Sequence, residues 1–220
     1  MSNIVEKFFY SFLVILSEKL FRPRVIEVKG IENLPKDKGF IVAINHVGSI
    51  DPFVVVGVLR GFLKRNFFKR GKRFYYIGMR AIKKRIYSFF LNENLGYICS
   101  SKEGINRAVE LLKEGNVVGI FPEGRRDDGK KILKGKKGVA FLALLSGAPI
   151  VPVAYLGPQT RSFHQGLKGL LKPKKVYFGA PMHFFHEELF CLQKNPSTLL
   201  LATEMIMLEI AKLCGKEYET

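Results

Sequence analysis

Hydrophobic positions along this chain change period several times. Near the start, FFYSFLVILS (residues 8–17) is an apolar run without charge. On a helical wheel Lys7, Ser11, Glu18 and Arg22 fall close together, so the run predicts a helix that is apolar except for a narrow polar line. The run would extend about 15 Å as a helix, whereas crossing a hydrocarbon core takes roughly 20 residues. It does not read as a signal peptide either, because Glu6 and Lys7 precede it and no small-residue cleavage site follows. Two placements suit it: at a membrane interface with its apolar side among acyl chains, or buried as an ordinary N-terminal helix. Pro23 ends the segment, giving a membrane-associating helix over residues 1–22 and one domain over 23–220.

Beyond Pro23, continuous apolar runs alternate with helical patterns. GFIVAIN (39–45), LGYICS (95–100), NVVGIF (116–121), PIVPVAYLG (149–157) and KVYFGAP (175–181) predict strands. Asp51-Pro52 opens a helix, with Asp51 as the expected N-cap and Pro52 in the first turn. GINRAVELLKEG (104–115) and KKGVAFLALLSG (136–147) are helical patterns that end on glycine, and a last helix runs near 197–214 with Ser197 as its cap. This alternation implies an α/β fold, a mixed and partly parallel sheet covered by helices, preceded by the N-terminal interfacial segment.

Composition is globular, with 47% hydrophobic and 25% charged residues, which excludes a wholly disordered or fibrous chain. Thirty-six Lys and Arg against nineteen Asp and Glu leave a net charge of +17, so an anionic partner is expected. The charge is concentrated. No acidic residue lies between Asp51 and Glu93, and eleven basic residues do, from Arg60 to Arg85, interleaved with aromatics such as Phe62, Phe67, Phe74, Tyr75, Tyr76 and Phe89. This basic-aromatic insertion at about 60–90 suits an anionic membrane surface, with cations on headgroups and rings at the interface. Single-stranded nucleic acid could use the same mixture, and a solvated face with core aromatics is the plain alternative. The apolar N-terminal run favours lipid, so no nucleic acid is expected. Cys99, Cys191 and Cys214 are few and scattered, as are the four histidines, which speaks against a disulfide framework or a metal cluster and for a reducing compartment.

Candidate chemistry sits in two clusters. NHVGSIDPF (45–53) places His46 at a strand end and Asp51 at the start of the next helix, four residues intervening. The VGSI loop, with Gly48 free to adopt an unusual backbone angle, can fold the two side chains toward each other. A neutral imidazole suits a general base near neutral pH, and a carboxylate on its far nitrogen would fix its tautomer. No serine nucleophile is needed, since the base could act on a hydroxyl brought by the substrate. In FPEGRR (121–126), Pro122 and Gly124 force a turn at the end of a strand, where α/β sheets gather ligands. Glu123 lies within that turn, and Arg125 and Arg126 follow with guanidinium forks suited to phosphate.

Taken in order, NHVGSIDPF, FPEGRR, KKGVAFLA and APIVPVAYLG resemble the boxes of the glycerolipid acyltransferases, over roughly residues 30–160. The resemblance implies transfer of a fatty acyl group from acyl-CoA or an acyl-carrier-protein thioester to the free hydroxyl of lysophosphatidic acid (1-acyl-sn-glycerol 3-phosphate), giving phosphatidic acid. It implies no metal or redox cofactor, and a peripheral, monotopic location on the cytoplasmic face of the cell membrane. By it, His46 is the catalytic base and Asp51 its partner. Glu123 and Gly124 shape the acceptor site, Arg126 binds phosphate, and Lys102, Lys137 and Arg80 are further phosphate contacts. Backbone N–H groups near the first box are the candidates for oxyanion stabilisation. Two positions depart from the family's pattern. GYICSSK (96–102) carries Ser101 and Lys102 where an acid and an arginine are usual, and Arg125 replaces a small polar residue. Lysine keeps the charge but not the bidentate fork, leaving room for another lysophospholipid, glycerol 3-phosphate or an amino-acid-derived lipid as acceptor. The reading of another class is a basic protein that binds membrane or nucleic acid without catalysis.

Overall fold

The computed structural model describes residues 2–78, 93–127, 129–160, 162–184 and 196–219. Seven strands form one sheet: β1 (Val25–Lys29), β2 (Ile41–Ile44), β3 (Phe74–Gly78), β4 (Tyr97–Cys99), β5 (Val117–Ile120), β6 (Ile150–Leu156) and β7 (Lys174–Phe178). They lie in the order β1-β7-β6-β2-β5-β3-β4. From β6 to β4 all neighbours are parallel, whereas β7 runs antiparallel to β6 and β1 parallel to β7. The mixed, partly parallel sheet read from the sequence is therefore present, and the parallel part dominates.

Both faces of the sheet are covered, which is why its central strands read as unbroken apolar runs. Along β2 the side chains alternate without error. Val42 and Ile44 enter one core with helices α1 (Ser2–Phe21) and α2 (Asp51–Asn66), and Ile41 and Ala43 enter the other. The second core is closed by α3 (Lys102–Lys113), α4 (Gly138–Ser146) and α6 (Pro196–Cys214), while a short α5 (Phe163–Gly169) lies between β6 and β7. Gly147 ends α4 in the left-handed conformation, as its sequence position predicts. Two caps differ from expectation. Ile50, not Asp51, is the N-cap of α2, and Ser197 falls inside the first turn of α6, which starts at Pro196.

The N-terminal helix has two unlike faces. Tyr10, Val14, Ser17 and Phe21 are buried at helical spacing. Gly57 of α2 lets the two helices approach so closely that a Cβ there would lie 2.7 Å from the carbonyl oxygen of Ser17. Phe21 stacks on Phe53 at 5.3 Å, Glu18 pairs with Arg60, and the Tyr10 hydroxyl bonds the backbone of Phe74 at the start of β3. The opposite face is apolar and open, with Phe8 70% and Phe12 49% exposed, alongside Ile15 and Leu20. Of the polar line, Ser11 and Arg22 are exposed. Among the described residues no helix is long and apolar enough to cross a membrane.

The basic-aromatic stretch does not hang outside the fold where it is described. It forms the second half of α2, a 3-10 turn at Phe68–Arg70 and β3, next to the sheet's outermost parallel strand. Phe62, Phe67, Phe74 and Tyr75 are buried in the two cores, so these rings are taken up by packing. Arg70 donates to the carbonyls of Lys36 and Asp37, and Arg73 to that of Asn94. Residues from Arg80 to Phe90 lie outside the described residues.

Candidate active site

The site is assembled where β2 and β5 end, at the carboxyl edge of the parallel strands, the place where α/β sheets take their ligands. Asn45 pins the end of β2 to β6: its Nδ2 donates to the carbonyl of Tyr155 at 3.1 Å, and its Oδ1 accepts from the Tyr155 amide at 2.7 Å. After this anchor the chain turns through Val47–Ile50 into α2, and the turn brings His46 back onto Asp51. The His46 Nδ1 lies 3.1 Å from Asp51 Oδ2, which also accepts from the amides of Val47 (2.8 Å) and Gly48 (2.7 Å). Asp51 is the first residue of the helix, but its carboxylate faces back into the loop instead of capping. Burial pushes its carboxyl up from the usual range, against the pull of the imidazole and both amides. A cluster of donors on Oδ2 keeps it an acceptor, so Nδ1 carries the proton and Nε2 holds the free lone pair.

The imidazole side chain is 21% exposed and lies flat against Phe121, with ring centroids 4.3 Å apart. Phe121 in turn stacks parallel to Tyr76 at 5.7 Å, and the Tyr76 hydroxyl donates to the carbonyl of Pro52. Rings from two other segments, Phe121 and behind it Tyr76, thus fix the plane of the histidine. The nearby Ser49 hydroxyl donates to the Ser162 carbonyl and contacts Thr160 Oγ1, so it is turned to the β6–α5 loop.

The second cluster grips the peptide of the first. Residues Phe121–Gly124 make the expected turn, closed by the Gly124 amide on the Phe121 carbonyl, with Gly124 at φ +65°. Glu123 is buried. Its Oε1 accepts from the His46 amide at 2.8 Å and its Oε2 from the Leu133 amide at 3.1 Å. The Asp127 amide donates to the His46 carbonyl at 2.8 Å, so both backbone groups of His46 are held by the loop that follows β5. Loss of water raises the Glu123 carboxyl to about 7, opposed by the two amide hydrogen bonds.

Of the residues expected at the site, His46, Asp51, Glu123, Gly124 and Arg126 belong to one connected network. Arg126 is exposed and donates to the Thr160 carbonyl at 3.1 Å, while Thr160 Oγ1 accepts from the Ser49 amide. Glu123 acts through the backbone of His46 and Leu133, since both oxygens are engaged there, and Gly124 carries the stem of Lys136, which a Cβ would meet at 2.7 Å. Lys102 and Lys137 come together at a hollow of about 280 Å³, walled by Ile105, Phe141 and Leu199, between the first turns of α3 and α4. Ser101, in the acid's place in that box, caps α3 by accepting from the Gly104 amide. Arg80 lies outside the described residues. The amides of His46, Val47, Gly48 and Ser49 are all committed to side-chain acceptors, so these four are not open to an oxyanion as expected. Asn45, Thr160 and Phe121 as a stacking ring were not anticipated. Only Asn45 and Phe121 had a signal, by lying inside the two boxes.

An α/β sheet with a buried-acid-oriented imidazole at its carboxyl edge, and among the described residues no serine hydroxyl turned to it, is an arrangement suited to taking a proton from a substrate. The acyltransferase family model matches residues 25–156, and the chain belongs to this family. A 1-acyl-sn-glycerol-3-phosphate acyltransferase from Bacillus subtilis is 34% identical over 161 residues, 72% of this chain and 74% of that one. One of the same name from Borreliella burgdorferi is 27% identical over 135 residues, 58% of this chain and half of its own length. Among solved structures, the 1-acyl-sn-glycerophosphate (LPA) acyltransferase PlsC from Thermotoga maritima matches with a TM-score of 0.63 at 20% identity. That match covers 96% of this chain and 83% of the other, and at this identity it speaks for the fold alone.

Proposed function

We propose that this protein is an O-acyltransferase of phospholipid synthesis that moves a fatty acyl group from an acyl thioester to the free hydroxyl of 1-acyl-sn-glycerol 3-phosphate, giving phosphatidic acid. The observation that carries this reading is the His46 Nδ1–Asp51 Oδ2 contact at 3.1 Å in a chain of the acyltransferase family. With Nδ1 bound to the carboxylate, Nε2 takes the proton of the acceptor hydroxyl as its oxygen attacks the thioester carbonyl. The tetrahedral intermediate collapses with cleavage of the C–S bond, and the imidazolium returns the proton to the departing sulfur. Asp51 stabilises that transient charge and Phe121 holds the ring plane. Arg126, Lys102 and Lys137 are proposed to take the acceptor phosphate, with the apolar wall beside the two lysines suited to an acyl chain. The donor is acyl-CoA or an acyl carrier protein.

The same proposal sets the enzyme on an anionic bilayer as a peripheral protein, on the cytoplasmic face. The open apolar face of α1 supports this, as do basic side chains, each worth about 1 kcal/mol close to an anionic leaflet. The test is release of free thiol from acyl-CoA in the presence of lysophosphatidate. His46→Ala should lower kcat by about 10²- to 10⁴-fold while lipid binding is kept. Wild-type turnover in that variant would overturn the mechanism.

A further inference from the structure

After α6 the chain does not simply end its role in the core. Gly215 adopts φ +63°, with its amide on the Lys212 carbonyl and the Lys216 amide on the Ala211 carbonyl, so the helix is closed and the tail is turned out. The tail then runs parallel to the loop after FPEGRR. The Ile132 amide donates to the Glu217 carbonyl and the Glu219 amide to the Ile132 carbonyl, both at 2.9 Å. Lys131 and Glu217 pair at 3.0 Å across the outside, and Ile132 itself is fully buried. The next residue, Leu133, supplies the amide that Glu123 Oε2 accepts, and Glu123 Oε1 holds the amide of His46. Three short hydrogen-bonded links therefore connect residues 217–219 to the backbone of the catalytic histidine.

We propose that the segment Lys216–Glu219 is a positioning strap for catalysis, which holds the 129–134 loop in register so that Glu123 can fix the His46 backbone. The strap acts where an error would matter most. His46 contacts Asp51 through one ring nitrogen, and a displaced backbone swings the other nitrogen away from the substrate hydroxyl. A second feature points the same way: the Lys216 ammonium draws Glu123 toward its ionised form, against Asp127, which pushes it the other way. An ionised carboxylate accepts from both amides more strongly than a protonated one, whose hydroxyl oxygen is the weaker acceptor.

The inference rests on the acyl-transfer reading for its kinetic readout, and a second readout stands without it. Glu219→Pro deletes one strap donor and suits the extended residue before it, while Glu219→Ala keeps the amide and is the matched control. In the full chain, amide hydrogen exchange at Leu133 and His46 should become about fivefold faster in Glu219→Pro, with the unfolding midpoint close to wild type. The same variant should lose about fivefold in kcat with KM nearly unchanged, a split that general loosening of the fold does not give. Lys216→Met should lower kcat near neutral pH, and Lys216→Arg should restore it. Exchange at both amides identical to wild type in Glu219→Pro would overturn the strap, even with an active enzyme. Faster exchange in a chain whose wild type transfers no acyl group would keep the strap and sink the acyl-transfer reading instead.

Discussion

Asp51 concentrates three donors on one oxygen, and this makes it the most sensitive single residue in the site. In Asp51→Asn the amide oxygen can take the Oδ2 place and accept the same three donors, but the negative charge beside the imidazole is lost. kcat should fall by about 10³-fold or more, as expected when an imidazole loses the carboxylate whose charge stabilises its protonated form, and steady-state assays of purified protein check this. Glu123 gives a pH signature. Its carboxyl sits at about 7 when folded against an ordinary 4.5, so between these values the folded state keeps a proton that the unfolded state has released. Its contribution to stability is therefore full below about 4.5 and is lost as pH rises through about 7, a span of roughly 3 kcal/mol. Glu123→Gln should flatten that part of the stability–pH curve in urea titrations, and should lower kcat because an amide accepts at only one end. The histidine–acid pair and the turn glutamate were legible in the sequence because they belong to compact boxes. What Glu123 touches was not, since its partners are backbone amides 77 and 10 residues away and leave no mark in residue type.

At the scale of elements, α1 is packed into the core along one face, as one of its two readings expects, and leaves the other face open for the membrane test. Its inner face is fixed by a glycine crossing and a buried tyrosine, and its outer face exposes Phe8, Phe12, Ile15 and Leu20 beside Ser11 and Lys19. Gly57→Val should separate the two helices and lower the unfolding midpoint, at a cost of about 1–3 kcal/mol for overpacking. Phe8→Ser with Phe12→Ser touches only the open face and should leave that midpoint unchanged while reducing flotation with vesicles at least tenfold, given about 1.5–3 kcal/mol for each ring fully buried. Equal flotation would show that α1 stays clear of lipid. Most strands were readable from their unbroken apolar runs. β3 was not, because FYYIG is set among arginines and lysines and its rings suit a headgroup layer as well as a strand. Only pairing with β5 and β4 decides between them. β1 was missed for a related reason, as VIEVK is a short edge strand with charges at two of its five positions.

For the whole molecule, the net charge of +17 and the open apolar face are separate forces, and the burial of the aromatics at 62–75 changes how they combine. With those rings in the cores, the described part of the basic stretch can offer a bilayer its charges, and apolar insertion would fall to open faces such as that of α1. Charge attraction between exposed groups is screened over about 10 Å at 0.1 M salt and about 3 Å at 1 M, whereas apolar insertion is not weakened by salt. Binding should therefore be two-component. On vesicles rich in anionic lipid, flotation should drop steeply between 0.1 and 0.5 M salt and level off at a salt-insensitive remainder. On neutral vesicles only that remainder should be seen, and the Phe8→Ser, Phe12→Ser variant should lower it at least tenfold. Because Phe21 stacks on Phe53 in the first turn of α2, the open face of α1 ends beside the His46 loop at the carboxyl edge of the sheet, and its insertion would let an acceptor lipid reach Nε2 without leaving the bilayer surface. If salt removed all binding to anionic vesicles, the apolar face would have no part in it, and charge alone would hold the protein at the surface.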